Sequence, residues 1–272
     1  MMNKDFKCHI CSENLLKLIK KIDKKPSVEV DYQIPTKNYL RHIYKCRRCK
    51  VYFNKHNLLN KDFYNGKYNE SIDGGKLKAR FEKIISLSPK NSDNKNRVFR
   101  IDNFYKNQSR NSKKVLDIGS GTCVFLYEMK KLGYKTYCID PDPVAIEHAR
   151  STIKVDGAYC GNIFDNTNYD SFGLITFNKV LEHLLNPIDY LEKSKDYLNK
   201  DGILYIELPE GDKIVEQELI EKRAEFAIEH YYVFNQTSMN YLLTNSGFKI
   251  IDSDIITDPS GKYTIYAFAK KI

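Results

Sequence analysis

The sequence predicts an α/β protein whose main unit is a doubly wound, mostly parallel sheet, with a small cysteine-bearing module ahead of it. Three observations predict this. From residue 114 onward, short apolar runs alternate with amphipathic stretches of helical spacing. The first apolar run ends in Gly119-Ser120-Gly121 and passes straight into a helical pattern. Two Cys-x-x-Cys pairs lie within the first 56 residues.

The chain of 272 residues, 42% hydrophobic and 29% charged, is long and apolar enough to bury a core. No stretch approaches the roughly 18 consecutive apolar residues of a membrane span. Met1–Ile10 is polar and has no apolar export signal, so the expected location is cytoplasmic. Seven cysteines are an odd number, and without an export signal they read as metal or redox ligands rather than as disulfides. Charge is uneven. Residues 1–114 hold 28 Lys/Arg against 11 Asp/Glu, and residues 115–272 hold 16 against 24. The basic half suits a phosphate-bearing small molecule or a nucleic acid. A lysine-rich solvated surface explains it equally well.

In order, Ser27–Ile34 places Val28, Val30 and Tyr32 on one face, the pattern of a half-buried strand, with Tyr39–Tyr44 as its hairpin partner. Lys76–Leu87 has helical spacing at Leu77, Phe81, Ile84 and Ile85. Ser88–Asn96 reads as a loop, and Val98–Tyr105 as a helix leading into the sheet. Lys114–Ile118 is a strand, Thr122–Leu132 a helix closed by Gly133, and Lys135–Ile139 a strand ending at Asp140. Asp142–Ile153 is a helix with Asp142 as N-cap and Pro143 at its first position. Gly157–Cys160 and Leu174–Phe177 are strands, Pro187–Leu198 is a helix capped by Asn186, and Ile203–Leu208 is a strand. Lys213–Ala227 and Thr237–Ser246 continue the alternation. Lys249–Ser253 and Tyr263–Ala269 have no helix between them and read as an antiparallel edge.

Val115–Phe125 carries the most information. Glycines let a ligand approach the backbone, and the helix that follows offers unsatisfied N–H groups. About twenty residues on, Asp140 ends the second strand, where a carboxylate can accept bonds from ribose hydroxyls. Position 124 is Val, so the dinucleotide fingerprint fails, and no Gly-Lys-Ser/Thr is present for a phosphate loop.

The segment resembles the first motif of class I S-adenosylmethionine methyltransferases, D-x-G-x-G-x-G, with Asp117, Gly119, Ser120 and Gly121 in place and Cys123 at the third glycine position. The resemblance implies a Rossmann-like domain and S-adenosylmethionine as cofactor. It implies that Asp140 binds ribose and that Asn162 contacts adenine. Phe177–Leu191 resembles the family's segment after the fourth strand, which places Asn178 and Val180 near the methionine end. The family often has Asp where this chain has Gly173. The stretch from Glu229 resembles an EH-x-x-x-F element that borders the acceptor in sugar and small-molecule methyltransferases. This nominates His230 as base and Glu229 as its orienter or a substrate ligand, with His183 as a second catalytic histidine.

Cys8, Cys11, Cys46 and Cys49 form two pairs separated by 34 residues, the arrangement of a zinc ribbon. A closed four-thiolate site holds Zn2+ structurally. His9 and His42 are alternative ligands. Zinc modules ahead of such a domain are known in sugar methyltransferases and in ribosomal RNA guanine methyltransferases. The long interval and the Cys-x-x-Cys second half favour the sugar group. The expected organisation is a zinc-ribbon-like module over 1–56, a helical and loop region covering the active site over 57–110, and the Rossmann-like domain over 111–272. The expected acceptor is a sugar, nucleotide-sugar or sugar-phosphate of surface-glycan synthesis. The alternatives are an RNA base methyltransferase and a non-catalytic zinc protein with a relic pocket.

Overall fold

The computed structural model describes residues 7–14, 16–30, 32, 37, 39–56, 58, 76–108, 112–165, 171–217 and 219–272. It holds two sheets. The larger is built from β4 (Lys114–Ile118), β5 (Lys135–Asp140), β6 (Gly157–Cys160), β7 (Phe172–Asn178), β8 (Leu198–Pro209), β10 (Phe248–Thr257) and β11 (Tyr263–Lys271). Its order is β10-β11-β8-β7-β4-β5-β6. The five strands from β8 to β6 run parallel. β11 is antiparallel to β8, and β10 to β11. The antiparallel pair is thus present, but its later strand inserts between β8 and β10.

Strand periodicity sorts the core. Leu116, Ile118, Ile175 and Phe177 enter one buried cluster, while Val115, Leu174, Ile203 and Tyr205 enter another. Helices cover the sheet: α1 (Leu77–Ser86), α2 (Asp93–Lys106), α3 (Val124–Lys131), α4 (Pro143–His148), α5 (Pro187–Ser194), α6 (Asp212–Glu216) and α7 (Gln236–Asn245). β4 lies between β5 and β7, so chain order reverses there. The C-terminal ends of β4, β5 and β7 open on one edge, the place where doubly wound sheets bind ligands.

The smaller sheet has the order β1 (Leu16–Ile22), β2 (Arg41–Cys46), β3 (Tyr52–Lys55) and β9 (Tyr232–Val233). Its fourth strand comes from the far end of the chain. The two units therefore share a sheet.

Five expectations are corrected. Ser88–Asn96 is not all loop, because α2 begins at Asp93, where Ser92 Oγ caps it by accepting from Lys95 N at 3.1 Å. Residues 27–30 and 32 do not form a strand, and the remainder of Ser27–Ile34 lies outside the described residues. That turn is held instead by the buried Glu29, which accepts from the Tyr39 hydroxyl at 2.5 Å and pairs with Arg41 at 2.6 Å. The strand is Leu16–Ile22, whose lysines blur its alternation. Lys213–Ala227 is not one helix. After α6 come single 3-10 turns at Ile220–Lys222 and Ala224–Phe226, because Ile220, Phe226 and Ile228 are drawn into a cluster with Ile22 and Ile43 of the small sheet. α5 stops at Ser194, and β8 begins at Leu198. Asn186 makes no capping bond, whereas Asp142 accepts from Val144 N at 2.8 Å as expected.

Candidate functional site

The glycine loop follows β4. Gly119 has φ +71°, and a Cβ there would meet Val180 Cγ2 at 2.7 Å. Val180 thus packs onto the loop, and only glycine fits beneath it. Gly121 has φ +50°, and a Cβ there would meet nothing within 4 Å. That open space is the cradle of the site. Cys123, at the third glycine position, is fully buried and also left-handed, with φ +55°. A non-glycine residue in that conformation costs about 1 kcal/mol.

Asp140 stands against this loop. Its Oδ2 accepts from Gly121 N at 2.8 Å and its Oδ1 from Asp142 N at 2.9 Å. Each oxygen keeps a lone pair for a further donor. Burial pushes its pKa up to about 6. Asp117, also buried, accepts from Thr176 Oγ1 at 2.6 Å and from Asn178 Nδ2 at 2.8 Å. Burial raises it to about 7. With Nδ2 committed, Asn178 aims Oδ1 elsewhere, and this buried oxygen has no hydrogen-bond partner. An orphaned acceptor of that kind calls for a ligand donor.

Asn162 is exposed after β6, and its Oδ1 accepts from Phe164 N at 2.8 Å. The side chain shapes the loop. Phe164, 46% exposed and edge-on to Tyr190, presents an apolar wall that sequence reasoning missed. Only its exposure distinguishes it. Gly173 lies at the N-terminal end of β7. A Cβ there would meet Tyr105 Oη at 2.2 Å and Ser112 O at 2.3 Å, so packing accounts for the glycine.

The Glu182-His183 and Glu229-His230 pairs converge. The ring centroids of His183 and His230 are 4.6 Å apart. His183 Nδ1 lies 3.1 Å from Glu229 O, and His230 Nδ1 lies 2.8 Å from Glu225 O. These bonds place the ring protons on Nδ1 and leave the lone pairs on Nε2. The carbonyl of Glu225 thus orients His230, a task the sequence reading gave to Glu229. The Glu229 carboxylate acts instead as a nearby charge on His183. Burial lowers His183 to about 3 and His230 to about 4. Both are neutral at pH 7. The sequence reading gave Glu182 no chemical role. It is 1% exposed, neither carboxylate oxygen has a hydrogen-bond partner, and burial raises it to about 7.

The segment bearing His230 is held by the small sheet. Asn54 N donates to Tyr231 O at 3.0 Å, Asn54 Nδ2 to Ala227 O at 3.0 Å, and Arg41 to Phe226 O at 2.5 Å. The Tyr232 hydroxyl lies 2.8 Å from His9 Nδ1 and donates to Leu185 O at 2.6 Å. Tyr232 is buried, a packing residue. Cys8, Cys11, Cys46 and Cys49 cluster with all sulfurs within 4.8 Å of one another. Cys8 and Cys49 are 3.5 Å apart, and Cys11 and Cys46 3.6 Å. These spacings are too long for disulfides and near the roughly 3.8 Å edge of a tetrahedron with 2.3 Å metal–sulfur bonds. His9 and His42 do not join the cluster. His9 contacts Tyr232, and His42 stacks on Tyr44.

A family model described as a methyltransferase domain matches residues 81–253. The chain belongs to that family. The ubiquinone biosynthesis O-methyltransferase of Glaesserella parasuis is 34% identical over 106 residues, covering 35% of this chain and 44% of that protein. Its mitochondrial counterpart in Schizosaccharomyces pombe is 27% identical over 115 residues, covering 40% and 42%. The chain thus matches less than half the length of these relatives. Among solved structures, the Burkholderia thailandensis 1,6-didemethyltoxoflavin-N1-methyltransferase with bound S-adenosylhomocysteine superposes with TM-score 0.55 at 16% identity, over 85% of this chain and 95% of that one. The magnesium protoporphyrin IX methyltransferase of Synechocystis gives TM-score 0.56 at 12% identity, over 78% and 98%. These likenesses show the fold.

Proposed function

We propose that the protein transfers a methyl group from S-adenosylmethionine to a small acceptor. The carrying observation is the single edge on which the open cradle at Gly121, the Asp140 carboxylate and the orphaned Asn178 Oδ1 meet. Ribose hydroxyls suit the remaining lone pairs of Asp140, and the ammonium of the methionine moiety suits Asn178 Oδ1. Asp117 holds Asn178, Val180 backs Gly119, Ser120 lies in the loop, and Asn162 with Phe164 flanks the adenine. When bound, the cofactor would supply a methyl group to an acceptor lone pair, with the carbon–sulfur bonding pair returning to sulfur and the acceptor giving up its proton. Alignment supplies much of the rate. The group that meets the acceptor is His183, His230 and Glu229.

The four-thiolate cluster holds Zn2+ in a closed, structural site over residues 1–56, ahead of the cofactor domain 111–272; of the expected covering region 57–110, residues 57, 59–75 and 109–110 lie outside the described residues. No helix among the described residues is long and apolar enough to cross a membrane. The acceptor is a carbohydrate or sugar phosphate, supported by the basic N-terminal half and the two EH segments. Calorimetric titration with S-adenosylhomocysteine tests the core of the reading. Binding near one to one, lost in Asp140→Ala with folding retained, is the expected result. A wild-type protein that shows no heat and no thermal stabilisation refutes it.

A further inference from the structure

Outside the cofactor cradle, one cluster has the donors of a metal site without thiolates. Glu182, His183 and His230 each offer a ligand atom, and the three atoms lie within 4.8 Å of one another. We propose that these three residues bind a first-row divalent cation, distinct from the four-cysteine site, which holds an acceptor bearing two adjacent oxygens. The proposal rests on the acceptor site placed above.

Four observations carry it. First, the donor set is two imidazoles and one carboxylate, which suits manganese, iron, cobalt or zinc and leaves coordination positions open. Second, each imidazole gives Nδ1 to a backbone carbonyl, Glu229 O for His183 and Glu225 O for His230. That second bond is what orients metal-ligating histidines. Third, Glu182 is 1% exposed with both carboxylate oxygens unpartnered. A buried, unpartnered carboxylate is costly, and a cation removes the cost. The nearby Lys179 offers its charge but no hydrogen bond, because its Nζ donates to Leu208 O at 3.1 Å and Thr264 Oγ1 at 2.6 Å. Fourth, ligands around such an ion stand about 3 to 4 Å apart, so inward shifts on the order of 1 Å close the site.

The substrate class follows from the open positions. Three protein ligands leave room for two neighbouring oxygens, such as a vicinal diol. An ion there would lower the pKa of a bound hydroxyl and so ease its deprotonation.

The test is a Mn2+ titration of the zinc-replete protein, followed by loss of the free-ion signal in electron paramagnetic resonance. Mn2+ does not displace zinc from four thiolates. We expect one Mn2+ per chain, and at least tenfold weaker binding in Glu182→Gln and in His230→Gln. Circular dichroism establishes that these variants fold, and Asp140→Ala should bind Mn2+ as the wild type does. Absence of Mn2+, Co2+ and Ni2+ binding beyond the cysteine site overturns the proposal, as does wild-type affinity in Glu182→Gln. Titration with S-adenosylhomocysteine separates the two claims. Cofactor binding without metal binding removes only the metal site, and metal binding without cofactor binding removes the methyltransferase reading.

Discussion

At the residue scale, the proposed cofactor site is governed by two buried carboxyls whose protonation decides what they can accept. Asp140 rises to about 6 and Asp117 to about 7, both through burial. A carboxyl with a raised pKa keeps its proton until the pH passes that value, and ribose hydroxyls donate best to the ionised form. Cofactor binding therefore expels a proton below about pH 6. S-adenosylhomocysteine affinity should be level above pH 8 and weaken by up to roughly tenfold per pH unit below pH 6. Calorimetry between pH 5 and 8 reads this, and Asp140→Asn should bind more weakly at pH 8 and lose the step near 6. An unchanged step would assign it to another group. Gly173 makes the opposite point. Its absent side chain leaves room for Tyr105 Oη and Ser112 O, so Gly173→Ala should cost about 1 to 3 kcal/mol and lower the melting temperature. Cofactor affinity at 25 °C should not change. A fall in affinity at unchanged stability would mark Gly173 as part of the ligand site.

At the scale of elements, β9 links the group proposed to face the acceptor to the N-terminal sheet. It begins two residues after His230 and pairs with β3 through Tyr52–Val233 and Phe53–Tyr232. Tyr232→Phe removes the hydroxyl that touches His9 and Leu185. It should reduce methyl transfer several-fold while leaving S-adenosylhomocysteine affinity intact, a split that steady-state kinetics and calorimetry read together. The same strand shows where the sequence was legible. β4, α3 and β5 could be placed because apolar period, glycines and caps coincide in Val115–Asp140. The cysteine cluster could be placed because its spacing is local. β9 could not, because two residues carry no period and its pairing partner lies about 180 positions upstream. β1 was hidden by its lysines, and the broken segment after α6 by packing against Ile22 and Ile43. Glu182 was visible in the EH segment, but its lack of a partner is a property of the folded interior alone.

At the scale of the whole molecule, the two sheets divide the work. The large sheet presents Gly121, Asp140 and Asn178 on its own strand ends, with no residue from the N-terminal module among their hydrogen-bond partners in the described residues. The small sheet frames the His230 segment from outside, and its hairpin β2–β3 is closed by the knuckle at Cys46 and Cys49. If the four thiolates hold zinc as proposed, the ion would brace that hairpin beside the apolar packing of Ile43, Val51, Tyr52 and Phe53. Releasing zinc with a thiol-specific mercurial should therefore loosen β3 and the β9 edge but spare the cofactor cradle. A metallochromic dye should count one zinc released from the thiolates per chain. Amide hydrogen exchange should then accelerate across residues 230–234 and 52–55, and remain slow in β4, β5 and β7. S-adenosylhomocysteine should still bind with near-native affinity, while methyl transfer is lost with the placement of His230. Unchanged exchange over 230–234 after full zinc release would uncouple the module from the acceptor site. Loss of cofactor binding would show instead that the two sheets stand or fall together.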